Sequence, residues 1–327
     1  MRFWPIIKLL PQKTNLRFVS VAKYMAVLSI VGVLGSLFLT LYPFKGPCGG
    51  LNCGVDFKGG TLIELSSPRP IDLGEVRGEL GAMNLGDVQV QQFGAPTDVM
   101  VRFETPEGVN PAQQVDQVKN RLRGVVGQDT TFTRTEVVGP KVSGELLRGG
   151  IIALGIAVAL MMLYIWFRFE WQFGLGAVAG LLHDTILVFG FFALFKLEFT
   201  LTAVAAILTV IGYSMNDTVV VFDRLRENLR KYKKMPLREV IDLTINETLS
   251  RTIITGVTAI MALAALAILG GETLFAFSVS LIFGIIFGTY SSIYVGAPII
   301  LLWGVKRSEG GAGDEPEPVK LGAASRP

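Results

Sequence analysis

Six stretches of mostly apolar residues, each close to or beyond the roughly 20 that a membrane-crossing helix needs, leave this chain few ways to fold except as a helical bundle in a bilayer. They run Tyr24–Tyr42, Gly149–Phe167, Phe173–Phe195, Phe199–Phe222, Thr252–Leu269 and Leu274–Trp303. The last is longer than a span requires, which predicts tilt or a kink near Gly296 and Pro298. Composition agrees: 17% of the 327 residues are charged and mean hydropathy is +0.50, whereas soluble chains carry about 25% charged residues. The first run is too long for the core of a signal peptide and no small-x-small cleavage site ends it, so it is expected to stay as a span. Ahead of it, Phe3, Trp4, Ile6, Ile7, Leu9 and Leu10 suit the headgroup region. The spacings Gly176/Gly180 and Gly284/Gly288 suit close helix contact.

Basic residues set the expected orientation. They crowd the amino-terminal segment (Arg2, Lys8, Lys13, Arg17, Lys23) and the link 223–251, with Arg168 after span two and Lys306 and Arg307 after span six. The links Lys196–Glu198 and Gly270–Thr273 hold one lysine between them. One arrangement satisfies all of this: segment 1–23, link 223–251 and tail 306–327 are cytoplasmic, and 43–148 is outside. The chain is therefore expected in the cytoplasmic (inner) membrane, with a five-helix bundle over 149–305 packed beside span one. In the link, Glu227 and Lys231 are one turn apart, and Leu237, Val240, Ile241 and Ile245 share a face after Pro236. That pattern predicts helices along the inner membrane surface. The tail is short, polar and rich in Gly and Pro, as disordered segments are.

The region 43–148 reads as a domain. Thr61–Leu65 is strand-like, and Asp72 is placed to cap a helix through Met83. Asp87–Phe93 and Asp98–Phe103 alternate, and Asn110-Pro111 supplies an N-cap and a first-turn proline for a helix to about Val126. Thr130–Val138, rich in β-branched residues, closes the set. The order β-α-β-β-α-β predicts an extracytoplasmic α+β domain of the ferredoxin-like kind between spans one and two. Cys48 and Cys53 precede it; outside the cytoplasm a disulfide is permitted, and two free thiols are the equal alternative.

Ionisable residues inside spans need a reason, since an unpaired charge at the membrane centre costs at least about 2.5–3.5 kcal/mol. Asp217 lies in span four, Arg251 at the entry to span five, and His183 and Asp184 near the middle of span three. Asp217 and Arg251 are at similar depth on adjacent spans and are expected to pair. A pair that broke on protonation would turn a proton gradient into helix motion; a static pair would only fix packing. His183, the sole histidine, suits either a proton relay or hydrogen-bonded packing. Asn216 is placed either to bond a neighbouring helix or to hold the Asp217 carboxyl.

Other classes find little support. Ser214 and His183 would be the only hydrolase dyad, but Gly212-Tyr213-Ser214 lacks the full nucleophile elbow. One histidine and two distant cysteines make no recognisable zinc pattern, and neither a Walker A sequence nor a dinucleotide fingerprint occurs. No enzyme activity, cofactor or metal is expected. Net charge is only +3, with no basic stripe interleaved with aromatics, so nucleic acid is a poor partner.

Several runs resemble one family. Gly50-Leu51-Asn52-Cys53-Gly54-Val55-Asp56-Phe57-Lys58-Gly59-Gly60-Thr61 is similar to the signature after the first span of the SecF family of bacterial protein-export subunits. Tyr164–Trp171 and the His183-Asp184 pair resemble its spans two and three, Ile211–Asn228 its fourth-span motif, and Ser250-Arg251-Thr252 the start of its fifth. The matches keep the family's order along most of the chain. The resemblance implies pairing with SecD in a complex of the resistance-nodulation-division superfamily. It implies action beside the SecYEG channel, with YajC or YidC as further partners, and use of the proton-motive force to draw unfolded preprotein outward. Asp217 and Arg251 match the family's transmembrane aspartate and arginine. Asp56, Gly59 and Gly60 would then form either a hinge or a tight turn between span one and the outer domain. Cys53 departs from the bulky apolar residue expected there. A non-conducting scaffold for SecD is the rival reading. A small-molecule exporter of the superfamily would carry a larger outer domain and a duplicated six-helix half.

Overall fold

A computed structural model describes residues 14–44, 48–86, 88–104 and 109–304. The basic residues Arg2, Lys8 and Lys13, the apolar headgroup residues before them, the strand start at Asp87, and the tail 306–327 lie outside the described residues.

Six helices are long and apolar enough to cross a membrane. The first, α1 (Phe18–Leu41), leads into β1 (Asn52–Cys53), a single turn α2 (Val55–Lys58), and a sheet domain of β2 (Gly60–Ser66), α3 (Leu73–Gly81), β3 (Gln89–Gln92), β4 (Asp98–Phe103), α4 (Pro111–Val126) and β5 (Thr131–Val138). Four long helices and a short strand follow: α5 (Pro140–Arg168), α6 (Trp171–Phe195), β6 (Glu198–Phe199), α7 (Leu201–Lys231) and α8 (Leu237–Leu269). The last span is α9 (Gly271–Ser291), a π-helical turn at Ser292–Gly296, and α10 (Ala297–Trp303). That irregularity ends just before Pro298, whose missing N–H cannot continue the ladder.

The helical parts of the link 223–251 are not separate surface helices. Span four continues to Lys231 and span five begins at Leu237, which leaves only Tyr232–Pro236 between them. The apolar face of Val240, Ile241 and Ile245 is buried in the protein's own core, so burial against neighbouring helices replaces contact with the membrane surface.

The sheet order is β3-β4-β2-β5, all antiparallel, with α3 and α4 on one face. This is the ferredoxin-like arrangement. Its core is Ile63, Leu65, Val99, Val101 and Phe103 against Val76, Leu80, Val115, Val118 and Leu122. The caps sit where the sequence places them: Asp72 accepts from Gly74 N and Asn110 from Ala112 N. Spans α6 and α7 form the buried centre of the bundle, while α1, α5 and the membrane part of α8 show most of their apolar surface. Gly284 lets α9 approach α7 so closely that a Cβ there would stand 2.2 Å from Val210 Cγ2.

Candidate functional site

Inside the bundle, α6, α7 and α9 meet at Asp184, which is 1% exposed. Ser214 Oγ of α7 donates to Asp184 Oδ2 at 2.5 Å, and Ser291 Oγ of α9 donates to the same oxygen at 2.6 Å. His183 Nδ1 lies 2.9 Å from Asp184 Oδ1, while its buried Nε2 has no hydrogen-bond partner among the described residues. The imidazole stacks on Tyr290, with centroids 5.9 Å apart. Tyr290 in turn donates to Met25 O at 2.7 Å and lies 2.9 Å from Ser29 Oγ, so the polar cluster reaches α1. Gly288 makes the α7–α9 approach possible, since a Cβ there would sit 3.0 Å from Ser214 Cβ.

Asp217 follows Ser214 by three residues and so faces the same side of α7. It is buried, and its Oδ1 accepts from Thr252 Oγ1 of α8 at 3.0 Å. The expected ion pair with Arg251 is not formed. Successive helical residues point about 100° apart, so when Thr252 faces α7 its neighbour Arg251 turns to the outer surface. Arg251 is near enough to act on Asp217 through space, but makes no ion pair among the described residues. Asn216 is likewise exposed and bonds neither the Asp217 carboxyl nor a neighbouring helix. The Ser214–His183 dyad is not assembled either, because both side chains address Asp184. No group of three His, Cys, Asp or Glu side chains able to hold a metal occurs among the described residues.

A second constellation joins the sheet domain to the bundle. Asp56 Oδ2 accepts from the amide of Leu201, the first residue of α7, at 2.9 Å. Beside it β1 pairs in parallel with β6. Arg102, on the sheet face away from α3 and α4, donates to Glu198 at 2.7 Å and to Cys53 O at 2.9 Å. Arg134 bridges Glu64 at 3.1 Å and Glu136 at 2.8 Å, with Glu198 at 3.9 Å. Burial pushes the Glu64 carboxyl above the ordinary carboxylate range, and Arg134 offsets this only in part. Gly59 and Gly60 have φ of +74° and +102°, and a Cβ on Gly60 would meet Phe103 O at 2.5 Å. They form a packed turn. Cys48 and Cys53 are joined as a disulfide.

Sequence reasoning passed over Ser291, Thr252, Arg102, Arg134 and Glu198. The serine pair Ser291-Ser292 inside an apolar run and the lone carboxylate in the short link before α7 were the available signals.

The family model for the protein export membrane protein SecD/SecF, C-terminal, matches residues 117–306. The chain is similar to the protein translocase subunit SecF of Cereibacter sphaeroides, 46% identical over 312 residues that cover 92% of this chain and 93% of the relative. It is 41% identical to SecF of Rickettsia bellii over 310 residues, covering 94% and 100%. Among solved structures, SecDF from Thermus thermophilus matches with a TM-score of 0.80 at 30% identity. That match covers 90% of this chain, which spans 40% of the length of the SecDF chain. The structure titled SecDF in super-membrane-facing form matches with a TM-score of 0.62.

Proposed function

This chain belongs to the SecF family of protein-export membrane proteins, and on that premise we propose that it is a non-enzymatic, proton-coupled accessory subunit that helps preproteins leave the cytoplasmic membrane. The observation that carries the reading is the pair of buried carboxylates: Asp184, held by Ser214, Ser291 and His183, and Asp217, held by Thr252, neither in an ion pair with Arg or Lys among the described residues. Ser214, Ser291 and Thr252 all donate to them; protonating a carboxylate removes its charge and weakens these charge-assisted bonds, which changes how α7 meets α6, α8 or α9. A proton crossing about 100 mV supplies roughly 2.3 kcal/mol, comparable with a few such interhelical bonds. The Asp56 cap and the Arg102–Glu198 pair tie α7 to the sheet domain, so movement of the span carries the domain with it.

The remaining assignments follow from the same reading. The sheet domain faces outward and the basic link inward, by the distribution of Lys and Arg. SecD covers the outer surface of α7 and α8, where Arg251 and Asn216 would otherwise face lipid. SecYEG, with YajC or YidC, and unfolded preprotein complete the working assembly. The test is export of a signal-bearing reporter in cells lacking their own SecF, supplied with matching SecD and either wild type or Asp217→Asn at equal membrane levels. Restoration by wild type alone supports proton coupling. Equal restoration by both makes the chain a scaffold for SecD.

A further inference from the structure

At the end of the bundle opposite the sheet domain, a recess of about 570 Å³ is lined by Arg168, Asp223, Arg226, Glu227, Arg230 and Lys231. Both of its carboxylates are already engaged. Asp223 meets Arg168 Nη2 with both oxygens, at 2.7 and 2.8 Å, and Glu227 accepts from Arg224, outside the lining, at 2.6 Å. Among the described residues Arg226 has only the Arg168 carbonyl, at 3.3 Å, as a hydrogen-bond acceptor. Its guanidinium nevertheless stands over the same Phe169 ring as that of Arg168, 5.6 and 5.1 Å from the centroid. Arg230 lies one helical turn beyond Arg226 and has no ion-pair partner among the described residues. Lys231 rests on the Tyr232 ring at 5.0 Å. Four cations thus surround two committed carboxylates, and the like charges gathered at Phe169 call for an anion.

The depth of the recess says which anion. Trp171 and Trp303 form an edge-on pair 5.9 Å apart and both are 59% exposed; Trp166 and Phe167, just before Arg168, are 82% exposed. Tryptophans so displayed mark the headgroup level of a bilayer. A free phosphate gains nothing from lying at headgroup depth, whereas an anionic lipid at that depth brings its own phosphate to the arginines. We propose that this recess is a headgroup site for an anionic glycerophospholipid, held through its phosphate by Arg226, Arg230 and Lys231. The site is independent of proton coupling.

The test is to place the full-length protein in nanodiscs of phosphatidylcholine with graded phosphatidylglycerol, then extract it gently and count retained lipids by native mass spectrometry. Wild type is expected to retain phosphatidylglycerol in preference to phosphatidylcholine. The double variant Arg226→Gln/Arg230→Gln is expected to lose that preference roughly tenfold or more. Arg230→Gln alone, which breaks no bond among the described residues, is expected to lose part of it and guards against misfolding. Equal retention of both lipids by wild type, or an unchanged preference in the folded variants, would mean that these charges set orientation only and would overturn the site. Displacement of the retained lipid by millimolar inorganic phosphate would reassign the recess to a soluble anion and overturn it equally.

Discussion

The Asp56 carboxylate accepts the amide hydrogen of Leu201 across 2.9 Å, so the segment that follows the first span caps the helix that carries Asp217. An N-cap of this kind contributes about 1 kcal/mol, and its loss frays the first turn. Asp56→Ala is expected to raise hydrogen exchange at Leu201 and the next few amides of α7 while leaving exchange in β2 and β4 unchanged. Unchanged exchange at Leu201 would show that the contact couples nothing.

The Arg102–Glu198 pair should matter more. Both side chains are largely buried, and removing Glu198 leaves the Arg102 charge uncompensated with the Cys53 carbonyl as its remaining acceptor among the described residues, a loss of up to about 3–5 kcal/mol for a well-buried pair. Glu198→Ala is expected to loosen the sheet domain from the bundle, read as faster proteolysis at residues 48–54, whereas the domain's own core stays folded. Glu198→Gln keeps a hydrogen bond to Arg102 and should lie between.

Glu64 gives the sheet domain a pH dependence with a definite sign. Its carboxyl is held above the ordinary value by burial, so the folded domain binds that proton more tightly than the unfolded chain does. The resulting stabilisation is complete below the unfolded value, roughly 4.3, and is lost as pH rises through the raised folded value. Glu64→Gln should remove this slope. Thermal melts of the full chain from about pH 4 to 7 are expected to show the variant gaining on wild type as pH rises; a constant gap would refute the assignment.

The contacts at Asp184 are expected to act together. Ser214→Ala removes one interhelical bond, worth about 0.6–2 kcal/mol inside a membrane. Asp184→Ala should cost more, because it removes the partner of Ser214, Ser291 and His183 together. Unfolding titrations in mixed micelles that ranked Ser214→Ala as the worse of the two would contradict this.

What the sequence made legible follows from range. Apolar run length reported the spans, and alternation with caps at Asp72 and Asn110 reported the sheet domain, because each signal is local. Span ends were less legible. The polar stretches Pro140–Leu147, Asp223–Lys231 and Leu237–Arg251 remain helical through packing that no local pattern reveals. Burial cost pointed to Asp184 and Asp217, yet not to their partners. One step of helical phase decides whether Arg251 or Thr252 faces α7, and hydrophobicity does not report phase that finely. Arg102 and Glu198 are 96 residues apart, and only the folded sheet brings them together.

In the proposed mechanism, Asp217 makes export responsive to a proton gradient. The direct measurement is late-stage preprotein movement in inside-out membrane vesicles carrying this chain with SecD, with and without an imposed gradient, for wild type and Asp217→Asn at matched levels. The gradient is expected to accelerate movement with wild type and to leave it unchanged with Asp217→Asn. A variant that still responded to the gradient as wild type does would contradict it.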